Sequence, residues 1–104
     1  MIIEHRLSTR IHAPLPVVMY ANGHVFAYGV SRDLNSHGLF VQVDPSRIGR
    51  NAIVEVEIPV LRMRMPAMVV HRNEEGVGLT FSDSLSPQVL RELQLLAARL
   101  HDRT

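Results

Sequence analysis

Asn22-Gly23, set between Val17-Val18-Met19-Tyr20 and Val25-Phe26-Ala27-Tyr28, constrains this chain more than any other feature. A two-residue type I′ turn needs φ > 0 at both central positions, and Asn-Gly supplies it. Two apolar runs around such a dipeptide therefore read as an antiparallel hairpin. The pattern of short strands continues. Leu39-Phe40-Val41-Gln42-Val43 predicts a third strand, ended by Asp44-Pro45-Ser46, with Arg47-Ile48-Gly49-Arg50 continuing the loop. Ile53 to Ile58 alternates at period two, with Glu55 and Glu57 on the wetter face, and Pro59 ends it. Leu61 to Met65 alternates again and extends past Pro66 to Val70, which implies an edge position or a bulge there. Gly76 to Phe81 predicts a last strand after the Asn73-Glu74-Glu75 turn.

The period then changes. Val89, Leu90, Leu93, Leu96, Ala97 and Leu100 fall on one helical stripe, with Ser86 as N-cap and Pro87 at the first helical position. Six short strands followed by one helix predict a mainly β fold: a six-stranded antiparallel β-barrel with a C-terminal α-helix, its edges hidden by closure. The expected organisation is one domain over 1–104, with an arm at 1–15, a barrel at 16–82 and a helix at 86–101.

A chain of 104 residues can bury one core. It has no cysteine, which excludes disulfides, thiolate metal sites and a cysteine nucleophile. No apolar run reaches the ~18 residues of a membrane span, and Glu4-His5-Arg6 puts charge where a secretory signal needs its apolar segment. A cytoplasmic location is expected. A net charge of +1 is too small for general nucleic-acid binding. All 11 basic residues are arginines, so an anion site must use guanidinium forks or backbone N–H groups.

Two clusters could hold such a site. Arg6-Leu7-Ser8-Thr9-Arg10 puts two guanidiniums four residues apart in a poorly patterned arm. They read either as solvated surface charges or as a clamp whose forks converge on one anion. Asp33-Leu34-Asn35-Ser36-His37-Gly38 lies between the second and third strands. By itself it is a polar turn in which Asp and Asn bond their own backbone and Gly38 supplies φ > 0. Beside arginines it acquires a chemistry: guanine presents O6 and N7 acceptors to an Arg fork, and its N1–H and N2–H₂ donors suit a carboxylate or amide oxygen. Backbone N–H groups near Gly38 could add an anion nest.

The pattern Arg6-x-x-x-Arg10, then 22 residues, then Asp33-x-Asn35-x-x-Gly38 resembles the PilZ domain family, bacterial receptors for cyclic di-GMP. Glu4-His5-Arg6 is similar to the Glu-Arg-Arg that opens the family's arm, and Gly76-Val77-Gly78-Leu79-Thr80-Phe81 to its final-strand Gly-x-Gly-x-x-Phe. The resemblance spans Glu4 to about Phe81. It implies a six-stranded barrel with a helix at its end and a ligand held on the outer face by the arm. Arg6 and Arg10 would grip phosphates and the O6/N7 edges of guanine, and Asp33 would accept from a guanine N1/N2 edge. Asn35, Ser36 and Gly38 would shape the pocket, and His5 would stand where a further Arg is common. Asn35 replaces the family's usual Ser. The resemblance implies a stand-alone, non-enzymatic receptor with no cofactor besides the cyclic di-GMP ligand. It would act as monomer or homodimer on a protein effector, with no DNA or RNA partner.

Other signals weigh less. The six histidines form no paired ligand motif, so no metal is expected. The serines lack a nucleophile-elbow setting. Met63, Met65 and Met68 read as strand packing, with Arg62 and Arg64 on the opposite face, either solvated or contacting an anion. Leu95 and Ala98 fall off the helical stripe. Two rival functions remain: a PilZ-like protein-interaction adaptor that does not need the nucleotide, and a barrel for single-stranded nucleic acid. The last is disfavoured by having five aromatics and little net charge.

Overall fold

The structure, a computed structural model, describes residues 12 and 14–102. Six strands form in chain order: β1 (Pro16–Ala21), β2 (His24–Leu34), β3 (Gly38–Gln42), β4 (Ile53–Ile58), β5 (Met63–Asn73) and β6 (Gly76–Phe81), followed by the helix α1 (Pro87–Asp102). They close into an antiparallel barrel in the order β1-β2-β3-β6-β5-β4. The β1–β2 turn has Asn22 at φ 53° and Gly23 at φ 81°, the pair of positive angles that a primed turn requires.

Alternation fills the barrel. Val17 and Met19, Leu39 and Val41, Val54, Val56 and Ile58, Ala67 and Val69, and Val77, Leu79 and Phe81 all point inward and are almost fully buried. Leu85 and Leu93 close one end. The helix starts where the sequence says: the Ser86 hydroxyl accepts from Val89 N at 3.2 Å, and Pro87 follows as first helical residue. Leu93 is 0% exposed, so Leu93→Ala is expected to destabilise the fold by ~2–5 kcal/mol. Chemical denaturation would read this as a lower midpoint; an unchanged midpoint would mean that α1 does not cap the core.

Several boundaries differ from the sequence reading. The second strand runs beyond Tyr28 to Leu34, so Asp33 and Leu34 belong to β2 and Gly38 to β3, and the intervening turn is shorter than expected. Pro59–Leu61 is a 3-10 turn rather than the start of a strand, and Arg62 after it is left-handed at φ 54°. Pro66 is paired with Glu55 of β4 and lies at a local edge on the β6 side, with no bulge. Its carbonyl accepts from Ser82 N, just beyond the first β5–β6 pair, Ala67 with Phe81, so its missing N–H falls at the end of that ladder. Met63 and Met65 pack against the core, but Met68 has the other parity and is 38% exposed. Arg64 faces out, with its guanidinium 3.6 Å from the Tyr20 ring centroid and 2.8 Å from Glu55 Oε1. The Tyr20 hydroxyl donates to Glu57 Oε1 at 2.5 Å, which raises the phenol above its ordinary pKa.

Candidate functional site

Two irregularities in the ladders build a cleft on the outer wall. In β2 the register slips between Ser31 and Asp33, leaving Arg32 as an extra residue. Strict alternation would send Asp33 inward with Ser31. The bulge instead turns Arg32 and Asp33 both outward and returns Leu34 to the core. In β5 the register slips between Val69 and His71, so that Val70 and His71 both face outward in the same way. Between the two bulged strands lie β3 and β6, where Phe40 pairs with Gly78. Phe40 points away from the core yet is 8% exposed, because the Arg32 guanidinium lies 4.0 Å over its ring. The resulting cleft of about 340 Å³ is lined by Arg32, Asp33, Asn35, Phe40, Val70 and Thr80, among others.

The charges in this cleft are already paired. Asp33 Oδ2 is 3.2 Å from Arg32 Nε, and its Oδ1 is 2.8 Å from His12 Nδ1. Arg32 also reaches Glu75 Oε1 at 2.6 Å. These contacts are partly solvated, worth ~0.2–1 kcal/mol each, so a ligand can displace or share them. Each carboxylate oxygen has two acceptor sites, and Asp33 retains capacity to accept from a ligand donor without losing either partner.

The turn between β2 and β3 is held by Asn35. Its Oδ1 accepts from His37 N at 2.8 Å and Gly38 N at 3.0 Å. Those two amides are therefore satisfied by the turn's own side chain, which does not favour the anion nest expected near Gly38. Asn35 keeps its NH₂ group as the donor left over. Gly38 does not have positive φ, contrary to the sequence reading. Its glycine serves a close approach: a Cβ there would stand 2.0 Å from the Leu79 carbonyl oxygen across the β3–β6 ladder. Gly76, at the other end of that ladder, faces the Val41 carbonyl in the same way. Ser36 turns to the opposite side of the turn. Its carbonyl accepts from Leu85 N at 2.8 Å, and it lines a separate groove with Leu85, Pro87 and Leu90.

Of the residues singled out in the sequence, Asp33, Asn35 and Gly38 thus share the cleft and Ser36 does not. His5, Arg6 and Arg10 lie outside the described residues. Two described residues before β1, Leu15 and His12, are held by β2. Leu15 is 1% exposed and bonds buried Ser31 twice: Ser31 N donates to Leu15 O at 2.9 Å, and Leu15 N donates to Ser31 Oγ at 3.1 Å. His12 then stands against Asp33. Arg32 and Phe40 were not singled out in the sequence. The sequence does not mark the bulge that exposes Arg32 and Asp33 together, because Tyr28, Val30 and Leu34 share one parity there.

The closed barrel thus carries an open, mixed-charge cleft on its wall, and no cluster of metal-ligating side chains occurs among the described residues. The chain belongs to the PilZ domain family, which it matches over residues 4–99. PilZ domains are binding domains rather than enzymes, and the family is that of cyclic di-GMP receptors, which gives this chain a general role in binding that dinucleotide or adapting it to partners. No protein of curated function matches the chain. Among solved structures, an uncharacterized Legionella protein is similar, with 16% identity over 84% of this chain and 87% of that one and a TM-score of 0.43. Among the described residues no helix is long and apolar enough to cross a membrane.

Proposed function

We propose that this protein is a bacterial, cytoplasmic cyclic di-GMP receptor that closes Arg6 and Arg10 over the cleft at Asp33 and relays occupancy to a protein effector. The observation that carries this reading is the position of His12 against Asp33, two residues after Arg10 in the chain. Leu15 is pinned to Ser31, and His12 lies 2.8 Å from Asp33. At ~3.3–3.6 Å per residue, Arg10 is within ~7 Å of backbone from His12 and Arg6 within ~21 Å. Both guanidiniums can therefore reach an anion in the cleft. The dinucleotide supplies two phosphates for their forks and a guanine edge of N–H donors for the spare acceptor sites of Asp33. Arg32, stacked on Phe40 between two carboxylates, offers a flat cationic surface against a base. Ligand would shift the arm toward its closed arrangement because only that arrangement has both forks on the phosphates.

Calorimetric titration with cyclic di-GMP tests the reading directly. Saturable heat with matching amide shifts is expected; the absence of both at high micromolar ligand would overturn it. Asp33→Ala is expected to lose discrimination between cyclic di-GMP and cyclic di-AMP more than total affinity, since the carboxylate reads the base and the arginines hold the phosphates. Parallel losses for the two dinucleotides would remove Asp33 from guanine recognition.

A further inference from the structure

The flank of α1 beside the 3-10 turn after β4 carries a self-complementary charge pattern. Glu92, Leu95, Leu96 and Arg99 line a hollow of about 230 Å³ together with Val60 and Leu61 of the 3-10 turn after β4. Leu95 is 59% exposed and Val60 53%, while Leu96 packs partly on the core. At 1.5 Å and ~100° per residue, positions 92 and 99 lie nearly on one line, ~10.5 Å apart, with positions 95 and 96 on either side of its midpoint. Among the described residues neither Glu92 nor Arg99 has an ion-pair partner.

We propose that this hollow is the contact surface of a symmetric homodimer in which α1 packs antiparallel against the same helix of a second copy. A two-fold axis through the midpoint exchanges positions 92 and 99. Glu92 then faces the partner's Arg99, and Arg99 faces the partner's Glu92, so the surface is complementary to itself. A parallel arrangement would set like charges against each other at both ends. The exposed Leu95 and Val60 fall beside the axis, where a second copy removes them from water. The paired charges at the rim fix the register of that contact. The proposal does not depend on nucleotide binding.

Sedimentation equilibrium of the full chain, from low to high micromolar concentration, tests it. Wild type is expected to show a monomer–dimer equilibrium. E92R and R99E should each weaken it by at least about tenfold, because each sets like charges together at both contacts. An equimolar mixture of the two variants should regain the dimer, since opposite charges then meet at both ends. That mixture also shows that each variant is folded. A monomeric wild type at every concentration, single variants that dimerise as wild type does, or a mixture that stays monomeric would each overturn the proposal.

Discussion

Gly38→Ala is expected to lower the melting temperature by about 5–20 °C. The added methyl would stand 2.0 Å from the Leu79 carbonyl oxygen. That obstacle is backbone, held in the β3–β6 ladder by the pairing of Gly38 with Thr80, so it cannot rotate aside as a side chain would. Overpacking of this kind costs ~1–3 kcal/mol, and 1 kcal/mol corresponds to ~4–8 °C in a domain of this size. Gly49→Ala is the matched control. A Cβ there meets nothing within 4 Å and φ is not positive, so its melting temperature should stay level or rise slightly. If both variants melted alike, the close approach of β3 and β6 would not be what requires glycine at 38. Because Gly38 also lines the cleft, its variant should bind ligand less well even at temperatures where it is folded.

Arg6→Ala and Arg10→Ala, measured separately, are each expected to weaken cyclic di-GMP binding by roughly 10- to 150-fold. The estimate is the ~1.5–3 kcal/mol of a hydrogen bond to a charged group, converted at 1.4 kcal/mol per tenfold. The two losses should not add simply, because forks on one ligand share its position. Calorimetry on the two variants decides the matter: wild-type affinity in either would take that arginine out of the mechanism. Lysine at either position should recover charge without the bidentate geometry and restore only part of the affinity.

Much of the fold was legible because it rests on local rules. Asn22-Gly23 required its turn, Ser86-Pro87 started α1, and Val54, Val56 and Ile58 pointed inward by alternation alone. Met68 was misplaced only because chemistry was weighed above parity: it is out of phase with Met63 and Met65. β2 was harder. Tyr28 is 74% exposed and Val30 38%, while Ser31 is buried, so apolar character there points to the wrong face. Of the site, Asp33, Asn35 and Gly38 could be found because they are adjacent in sequence. Phe40 and Thr80 could not, because only the pairing of remote strands brings them into one cleft with Arg32.

The sequence by itself determined the number and kind of elements and the turn at Asn22-Gly23, and it supplied the two arginines and the Asp/Asn turn on which the proposed nucleotide site rests. These follow from periodicity and backbone preference, which act over a few residues. Only the tertiary structure decided that Arg32 and Asp33 face outward together and that Gly38 is demanded by a carbonyl rather than by a turn. Those features depend on where two ladders slip and on which strand lies alongside. Such distances between remote residues are set by barrel closure and not by any local preference of the chain.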